Sequence, residues 1–299
     1  MKTKHFLTLI DLKSEELHDL MERTRFMKNN MRSESHSKLM SGMTVALLFE
    51  KTSTRTRVSF EVATSQLGGH ALFLAPGDSQ LSRGESLSDT ARILSRMTDL
   101  IVMRTSTQER LLTVASNSQV PVINAMSDDF HPCQLLADIF TFIEKRGSIR
   151  DANVAWVGDG NNVCRSWIHA ASQFGFNLRI ASPKGYSPDT KMLDLALGKA
   201  TIIEDITTAV TGCDLVVTDT WFSIGQEDDK IKRKEAFSGY CVTNELMSAA
   251  NSDALFMHCL PAYRGNEVTA DVIDGPQSVV WDEAENRLHT QKALIEFLL

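Results

Sequence analysis

The densest run of chemically useful side chains is Lys51-Thr52-Ser53-Thr54-Arg55-Thr56-Arg57. It follows an apolar stretch, Thr44 to Phe49, and leads into a helical pattern over Thr56 to Leu67. A strand, a short polar turn and a helix N-terminus together make an anion site, because free backbone N–H groups and the positive end of the helix dipole face the ligand. Ser53, Thr54 and Thr56 add hydroxyl donors, and Arg55 can set its guanidinium fork on phosphate oxygens. A lone Ser-Thr pair would only cap a helix. Consecutive phosphate-compatible residues at one junction point instead to binding. The run lacks Gly-x-x-x-x-Gly-Lys-[Ser/Thr], so it is not a nucleoside-triphosphate loop.

Other candidates lie at the ends of apolar runs. Arg104 follows Leu100 to Met103, and His131-Pro132-Cys133-Gln134 opens a helical pattern. An arginine, a histidine and an amide at such ends can converge on a carbonyl oxygen and meet the charge that builds on it during attack. Taken singly, Arg104 reads as a surface charge and His131 as a helix cap. Ser79-Gln80-Leu81 reads alone as loop. The turn Val157-Gly158-Asp159-Gly160-Asn161-Asn162-Val163 starts like a dinucleotide fingerprint, but Val163 stands where the third glycine belongs, and Ser182 and Pro183 lie near the usual acid position. Its adjacent asparagines suit an amino-acid head group better. Asp219 and Ser223 flank Trp221, and Cys259 lies in His258-Cys259-Leu260-Pro261. Alone, Asp219 caps a turn, and Cys259 is a small buried hydrophobe.

The elements that must position these residues alternate between short β-rich runs and longer helical patterns, which predicts parallel α/β units. In the first half, Thr44–Phe49, Ala71–Leu74, Leu100–Met103 and Val120–Ile123 read as strands. From about Arg150 a second set follows: Asn153–Val157, Leu178–Ala181, Thr201–Ile203, Leu215–Thr218, Leu255–His258 and Val279–Trp281. A helix from Pro132 to near Gly147 joins the halves, and Glu283 to Leu299 reads as an amphipathic terminal helix. The expected fold is α/β, with two doubly wound parallel-sheet domains joined by a helix. Residues 1–149 form the first domain and 150–284 the second, and 285–299 return to the first. In open α/β sheets ligands gather beyond the carboxyl ends of strands. The candidate residues fall there.

Composition narrows the function classes. The 299 residues are 42% hydrophobic and 23% charged, as in ordinary folded domains. No apolar run approaches the roughly 20 residues that span a bilayer. The N-terminus lacks the apolar core of a secretory signal and is too acidic for a transit peptide, so a cytoplasmic location is expected. Five scattered cysteines without a Cys-x-x-Cys pair indicate neither a disulfide framework nor a zinc knuckle. A formal charge of -7 argues against nucleic-acid binding. Neither a metal nor an organic cofactor is called for.

Phe49-Glu50-Lys51-Thr52-Ser53-Thr54-Arg55-Thr56-Arg57-Val58-Ser59-Phe60-Glu61 resembles the carbamoyl-phosphate signature of the aspartate and ornithine carbamoyltransferase superfamily. The resemblance implies that Ser53, Thr54, Arg55 and Thr56 hold the phosphate, and that Arg104, His131, Gln134 and Arg287 contact carbamoyl phosphate. Gln80 is implied to reach it from a neighbouring subunit. Asp219-Thr220-Trp221-Phe222-Ser223-Ile224-Gly225 is similar to the acceptor segment of the ornithine-specific members, with Ile224 for their methionine. His258-Cys259-Leu260-Pro261 is similar to their His-Cys-Leu-Pro, where the aspartate-specific members have His-Pro-Leu-Pro. Asn162, Asp219, Ser223 and Ile224 are thereby implied to bind ornithine, and Cys259 and Leu260 to lie at the reacting centre. Arg104, His131, Asp219 and Cys259 are the implied catalytic groups. Tyr263 stands where the family often has histidine. The implied activity is transfer of the carbamoyl group of carbamoyl phosphate to the side-chain amine of L-ornithine. A homotrimer with sites at subunit boundaries and closure of the two domains are implied with it.

Overall fold

The structure, a computed structural model, describes residues 3–31, 36–75, 77, 80–222 and 230–299. The chain divides into two compact units, residues 1–140 with 285–299 and residues 141–284.

The first unit contains α1 (Ser14–Asn29), β1 (Thr44–Phe49), α2 (Thr54–Gln66), β2 (His70–Leu74), α3 (Leu87–Met97), β3 (Leu100–Arg104), α4 (Gln108–Asn117) and β4 (Val122–Met126), and α5 (Pro132–Arg146) begins in it. Its sheet runs β2-β1-β3-β4, all parallel. β1 and β3 are central, and their near-continuous apolar runs are buried, as strands covered on both faces must be. The register pairs Phe49 with Arg104 and Arg104 with Met126, so three strand ends stop side by side. Glu50 N–H donates to the Arg104 carbonyl at 2.9 Å and carries the pairing one residue further. The turn after β1, Arg104, and the segment leading to His131 are therefore neighbours.

The second unit contains β5 (Asn153–Val157), α6 (Asn162–Phe174), β6 (Asn177–Ala181), α7 (Thr190–Asp194), β7 (Ala200–Ile202), α8 (Ile206–Val210), β8 (Leu215–Thr218), α9 (Lys230–Ala236), α10 (Asn244–Met247), β9 (Leu255–His258) and α11 (Ala270–Ile273). Its parallel order is β7-β6-β5-β8-β9. Strand order reverses between β5 and β8, the switch point beyond which such sheets bind ligands. Val157 pairs with Thr218 and Thr218 with His258, which sets Gly158, Asp219 and Cys259 just past adjacent strand ends.

The terminal helix α12 (Val280–Leu298) starts earlier than expected. Val279–Trp281 is not a strand. The chain makes one bridge, Phe256 to Ser278, and then turns helical, with Asp282 and Glu283 at the favourable N-terminal end of the dipole. Trp281 is 62% exposed, which an interior strand would not permit. The later residues of α12 belong to the first unit, where Arg23 holds Glu296 at 2.5 and 2.6 Å and Lys28 holds Asn286 at 2.8 Å. Two further strands shift against expectation: β4 runs Val122–Met126, because Pro121 has no N–H for the ladder, and β7 begins at Ala200.

Several histidines are buried as neutral rings. Burial lowers His169 in α6 from 6.5 to about 4, and burial also lowers His289 in α12. A ring that binds its proton less readily when folded contributes full stability above its unfolded value and loses it as pH falls toward the folded one. For His169 that window runs from 6.5 down to about 4, and the loss across it is on the order of 3 kcal/mol. Melting temperature is therefore expected to drop as pH falls below about 6.5, and less steeply in His169→Gln. An unchanged slope in that variant would exclude His169 as a source of the acid sensitivity.

Candidate active site

Each unit carries a cluster of candidate site residues of its own. In the first, Ser53 is extended (φ -161, ψ 111) and its Oγ accepts from Thr56 N–H, capping α2. Thr54 is exposed and Ser53 and Arg55 are half-buried, so the mouth of the turn is open to a ligand. Thr56 is fully buried and forms the floor, where Arg287 Nη2 donates to its Oγ1 at 2.7 Å. Arg287 thus reaches the cradle from α12. Arg104, His131, Gln134 and Arg287 are all buried. Burial, then the charges of Arg287, Arg104 and Arg55, hold His131 well below its ordinary value. Burial and those guanidinium charges favour a neutral imidazole, which can present an N–H without adding charge. Such a set is complementary to a phosphate joined to a polarisable carbonyl.

Gln134 Nε2 donates to Asp138 Oδ1 at 2.8 Å, and Asp138 is buried. A carboxylate only accepts, so the amide nitrogen must face it and the Gln134 oxygen must face away. That oxygen is suited to accept from a carbamoyl NH2. Asp138 was not apparent from the sequence, although its spacing from Gln134 on one helix face was a usable signal. The neighbouring thiol of Cys133 is pushed up to about 12 by burial and donates to the Asn124 carbonyl at 3.2 Å, so it belongs to the core. Glu50 is paired with Arg110 and Thr105 and braces the turn from behind. Gln80 is exposed on a short turn, and among the described contacts none joins it to the cradle.

In the second unit the centre is Asp219, buried just past β8. Asn161 caps α6, its Oδ1 accepting from Val163 and Cys164 N–H at 3.0 and 3.1 Å. Its Nδ2 therefore turns outward and donates to Asp219 Oδ2 at 2.7 Å. The other carboxylate oxygen accepts from Thr220 N–H at 2.7 Å and from the Cys259 thiol at 3.1 Å. Asn162 is the buried first residue of α6, beside this cluster in sequence, but Asn161 is the residue that grips Asp219. The sequence does not reveal a base beside Cys259; the structure pairs the thiol with a carboxylate. Ser223 and Ile224 lie outside the described residues.

Ligating atoms of Asp219, His258 and Cys259 fall within 4.8 Å of one another. His258 Nδ1 accepts from Leu260 N–H at 2.8 Å, and Nε2 faces Glu267 at 3.2 Å. Both ring nitrogens are engaged, so this ring has no lone pair to offer a metal in this arrangement.

Two parallel-sheet domains, one bearing an anion cradle and the other a carboxylate–thiol pair, define a two-domain α/β transferase. Residues 4–144 match the family model described as aspartate/ornithine carbamoyltransferase, carbamoyl-P binding domain, and residues 150–298 match its Asp/Orn binding domain. The chain is similar to the ornithine carbamoyltransferase of Nitrosococcus oceani, 56% identical over 299 residues, which are 100% of this chain and 98% of that one. Its fold is similar to the crystal structure of ornithine carbamoyltransferase from Burkholderia thailandensis, with a TM-score of 0.92 and 50% identity over 99% of this chain and 98% of that one. The enzyme from Pyrococcus furiosus gives 0.94 and 45%, covering 98% and 96%. This chain belongs to the aspartate/ornithine carbamoyltransferase family.

Proposed function

We propose that this protein transfers the carbamoyl group of carbamoyl phosphate to the side-chain amine of L-ornithine, giving L-citrulline and phosphate. The observation that carries the reading is the capped turn from Ser53 to Thr56, whose floor Arg287 meets through its Nη2 bond to Thr56 Oγ1 at 2.7 Å, with Arg104 at the adjacent strand end. The pairing of Cys259 with Asp219, where aspartate-specific relatives have proline, supports ornithine as the acceptor.

Carbamoyl phosphate binds with its phosphate on Ser53, Thr54, Arg55 and Thr56 and its carbonyl oxygen toward Arg104 and His131. Its NH2 meets the oxygen of Gln134 and the backbone beside Leu260. Ornithine is taken by Asn162, Asp219, Ser223 and the backbone at Ile224. A free lysine-like ammonium has a pKa of about 10.4, and only the neutral amine attacks. Asp219, with the Cys259 thiol beside it, orients the amine and takes its proton. The nitrogen attacks the carbamoyl carbon directly, and the tetrahedral oxyanion is held by Arg104, His131 and Thr56. Collapse breaks the bond to phosphate, which leaves toward Arg55 and Arg287. No step needs a cofactor, since positioning and fixed charge supply the barrier lowering.

The division of labour follows the domains: residues 1–149 serve carbamoyl phosphate, 150–284 serve ornithine, and 285–299 return Arg287 to the first. Transfer requires that the two close upon one pair of reactants. A cytoplasmic homotrimer acting in arginine biosynthesis, with Gln80 completing a neighbouring subunit's site, agrees with this reading. Neither nucleic acid nor membrane enters it, and no helix among the described residues is long and apolar enough to cross a bilayer.

The test is to supply carbamoyl phosphate with L-ornithine, L-aspartate, putrescine and N-acetyl-L-ornithine in turn and identify each product. Citrulline is expected as the dominant product. A faster reaction with any other amine would overturn the acceptor assignment, and no carbamoylated product at all would overturn the activity.

A further inference from the structure

His131 is constrained from both sides of the chain. Its carbonyl accepts from Gln134 N–H at 3.1 Å and from Leu135 N–H at 3.4 Å, so it opens α5. It precedes Pro132, which steers it to extended backbone. The direction from which it enters the helix is left to the turn over residues 127–130, and one side chain closes that turn. Ser127 N–H donates to the Phe130 carbonyl at 2.9 Å, and Phe130 N–H donates back to Ser127 Oγ at 3.1 Å. The Ser127 hydroxyl is fully buried and has a single proton. Two acceptors are in reach, Gln108 Oε1 at 2.8 Å and the Phe130 carbonyl at 3.4 Å, and the shorter distance assigns the proton to Gln108.

Gln108 is the first residue of α4, a few residues past Arg104, and no substrate contact is assigned to it or to Ser127. Its N–H donates to Asp129 Oδ2 at 3.3 Å, so its backbone and its side chain hold the same turn at two points. Nearer the strand ends, Thr105 N–H donates to the Met126 carbonyl at 3.1 Å and Asp128 N–H to the Ser106 carbonyl at 2.9 Å. Residues 104–108 and 126–129 are thus joined along their length, with Arg104 at the start and His131 just beyond the finish. An apolar pair at 108 and 127 would fill the same space without burying a hydroxyl, but it would fix no direction.

We propose that Gln108 and Ser127 are positioning residues: the bond between them holds the turn that delivers His131 and so keeps the imidazole in register with Arg104. The consequence for turnover rests on the carbamoyl-transfer reading above, in which both groups meet the carbonyl oxygen. The hold on the turn can be read independently. Charge on that oxygen grows only during attack, whereas the phosphate is held separately by the turn after β1. A displaced His131 therefore costs rate and leaves ground-state binding alone.

The experiment compares Gln108→Leu with Gln108→Glu in the full-length enzyme. Leucine fills much of the volume and has no acceptor. Glutamate keeps an acceptor oxygen for the Ser127 hydroxyl, and its charge is favourable in the first turn of a helix. Gln108→Leu is expected to lose about 10-fold in kcat, while KM for carbamoyl phosphate and the inhibition constant of inorganic phosphate each stay within about 2-fold. Gln108→Glu is expected to stay within about 2-fold of wild-type kcat. The second measurement is amide hydrogen exchange, followed by mass spectrometry in a peptide covering residues 127–131. Exchange there is expected to be about 10-fold faster in Gln108→Leu and close to wild type in Gln108→Glu. Wild-type turnover in Gln108→Leu, equal losses in the two variants, or a loss that falls as heavily on phosphate affinity would overturn the proposal. If Gln108→Leu does not accumulate folded, Ser127→Ala takes its place under the same expectations, and unchanged kcat and exchange in that variant overturn it too. A wild-type enzyme that makes no citrulline would sink the activity; exchange that is then the same in wild type and Gln108→Leu would sink the hold on the turn as well.

Discussion

Replacing Arg55 with alanine should lower kcat/KM for carbamoyl phosphate by roughly two to three orders of magnitude, mostly through KM. A guanidinium fork on phosphate makes charge-assisted bonds of about 1.5–3 kcal/mol each, and two of them near the lower end of that range convert to a loss of that size. The fold should not contribute to the loss. Arg55 sits half-buried in the first turn of α2, and alanine is the better helix former, so melting temperature is expected to stay near wild type. Arg55→Lys should recover only part of the affinity, because an ammonium restores the charge without the fork. Initial rates of citrulline formation at varied carbamoyl phosphate check all three statements. An alanine variant with near-normal kcat/KM would remove Arg55 from the phosphate site.

The parts of this site that could be read in advance are those carried by local pattern. A continuous apolar run, a Ser at the cap and a helix after it are enough to place Ser53 to Thr56 at a helix N-terminus. The cap bond from Thr56 N–H to Ser53 confirms it. Arg104, His131 and Arg287 are different, because nothing local to each distinguishes it from a surface or capping residue. They meet because parallel pairing aligns Phe49, Arg104 and Met126 and because α12 brings Arg287 to Thr56. Those are long-range facts, and only the family resemblance supplied them beforehand. Val279–Trp281 misled for the opposite reason. Its β-branched and aromatic residues favour a strand locally, but the acids that follow and an outward Trp281 settle it as a helix start. Asp138 and Glu267 went unseen because each acts through a neighbouring residue and belongs to no recognisable motif, and the motifs holding Asn161 and His258 do not tell that one grips Asp219 and the other accepts from Leu260 N–H.

The second large effect falls on Asp219, and its size follows from the same geometry. Both carboxylate oxygens are committed, one to Asn161 and the other to Thr220 N–H and the Cys259 thiol. Asparagine fills the same volume and can keep some of those bonds, but it carries no charge and is no base. An amine with a pKa of about 10.4 is neutral in only about one molecule in a thousand near neutral pH. An enzyme that has lost its proton acceptor should therefore fall in kcat by roughly two to three orders of magnitude in Asp219→Asn. Its KM for carbamoyl phosphate should stay within about 3-fold, since an interaction made only with the attacking amine leaves the other substrate's binding alone. The deficit should narrow as pH is raised from about 7 toward 9, where solvent supplies more of the neutral amine. Cys259→Ala, which removes the thiol and leaves the carboxylate, should lose less than Asp219→Asn, and again in kcat before carbamoyl-phosphate affinity. An Asp219→Asn enzyme that kept a tenth or more of wild-type turnover, with a deficit independent of pH, would show that the proton leaves by another route.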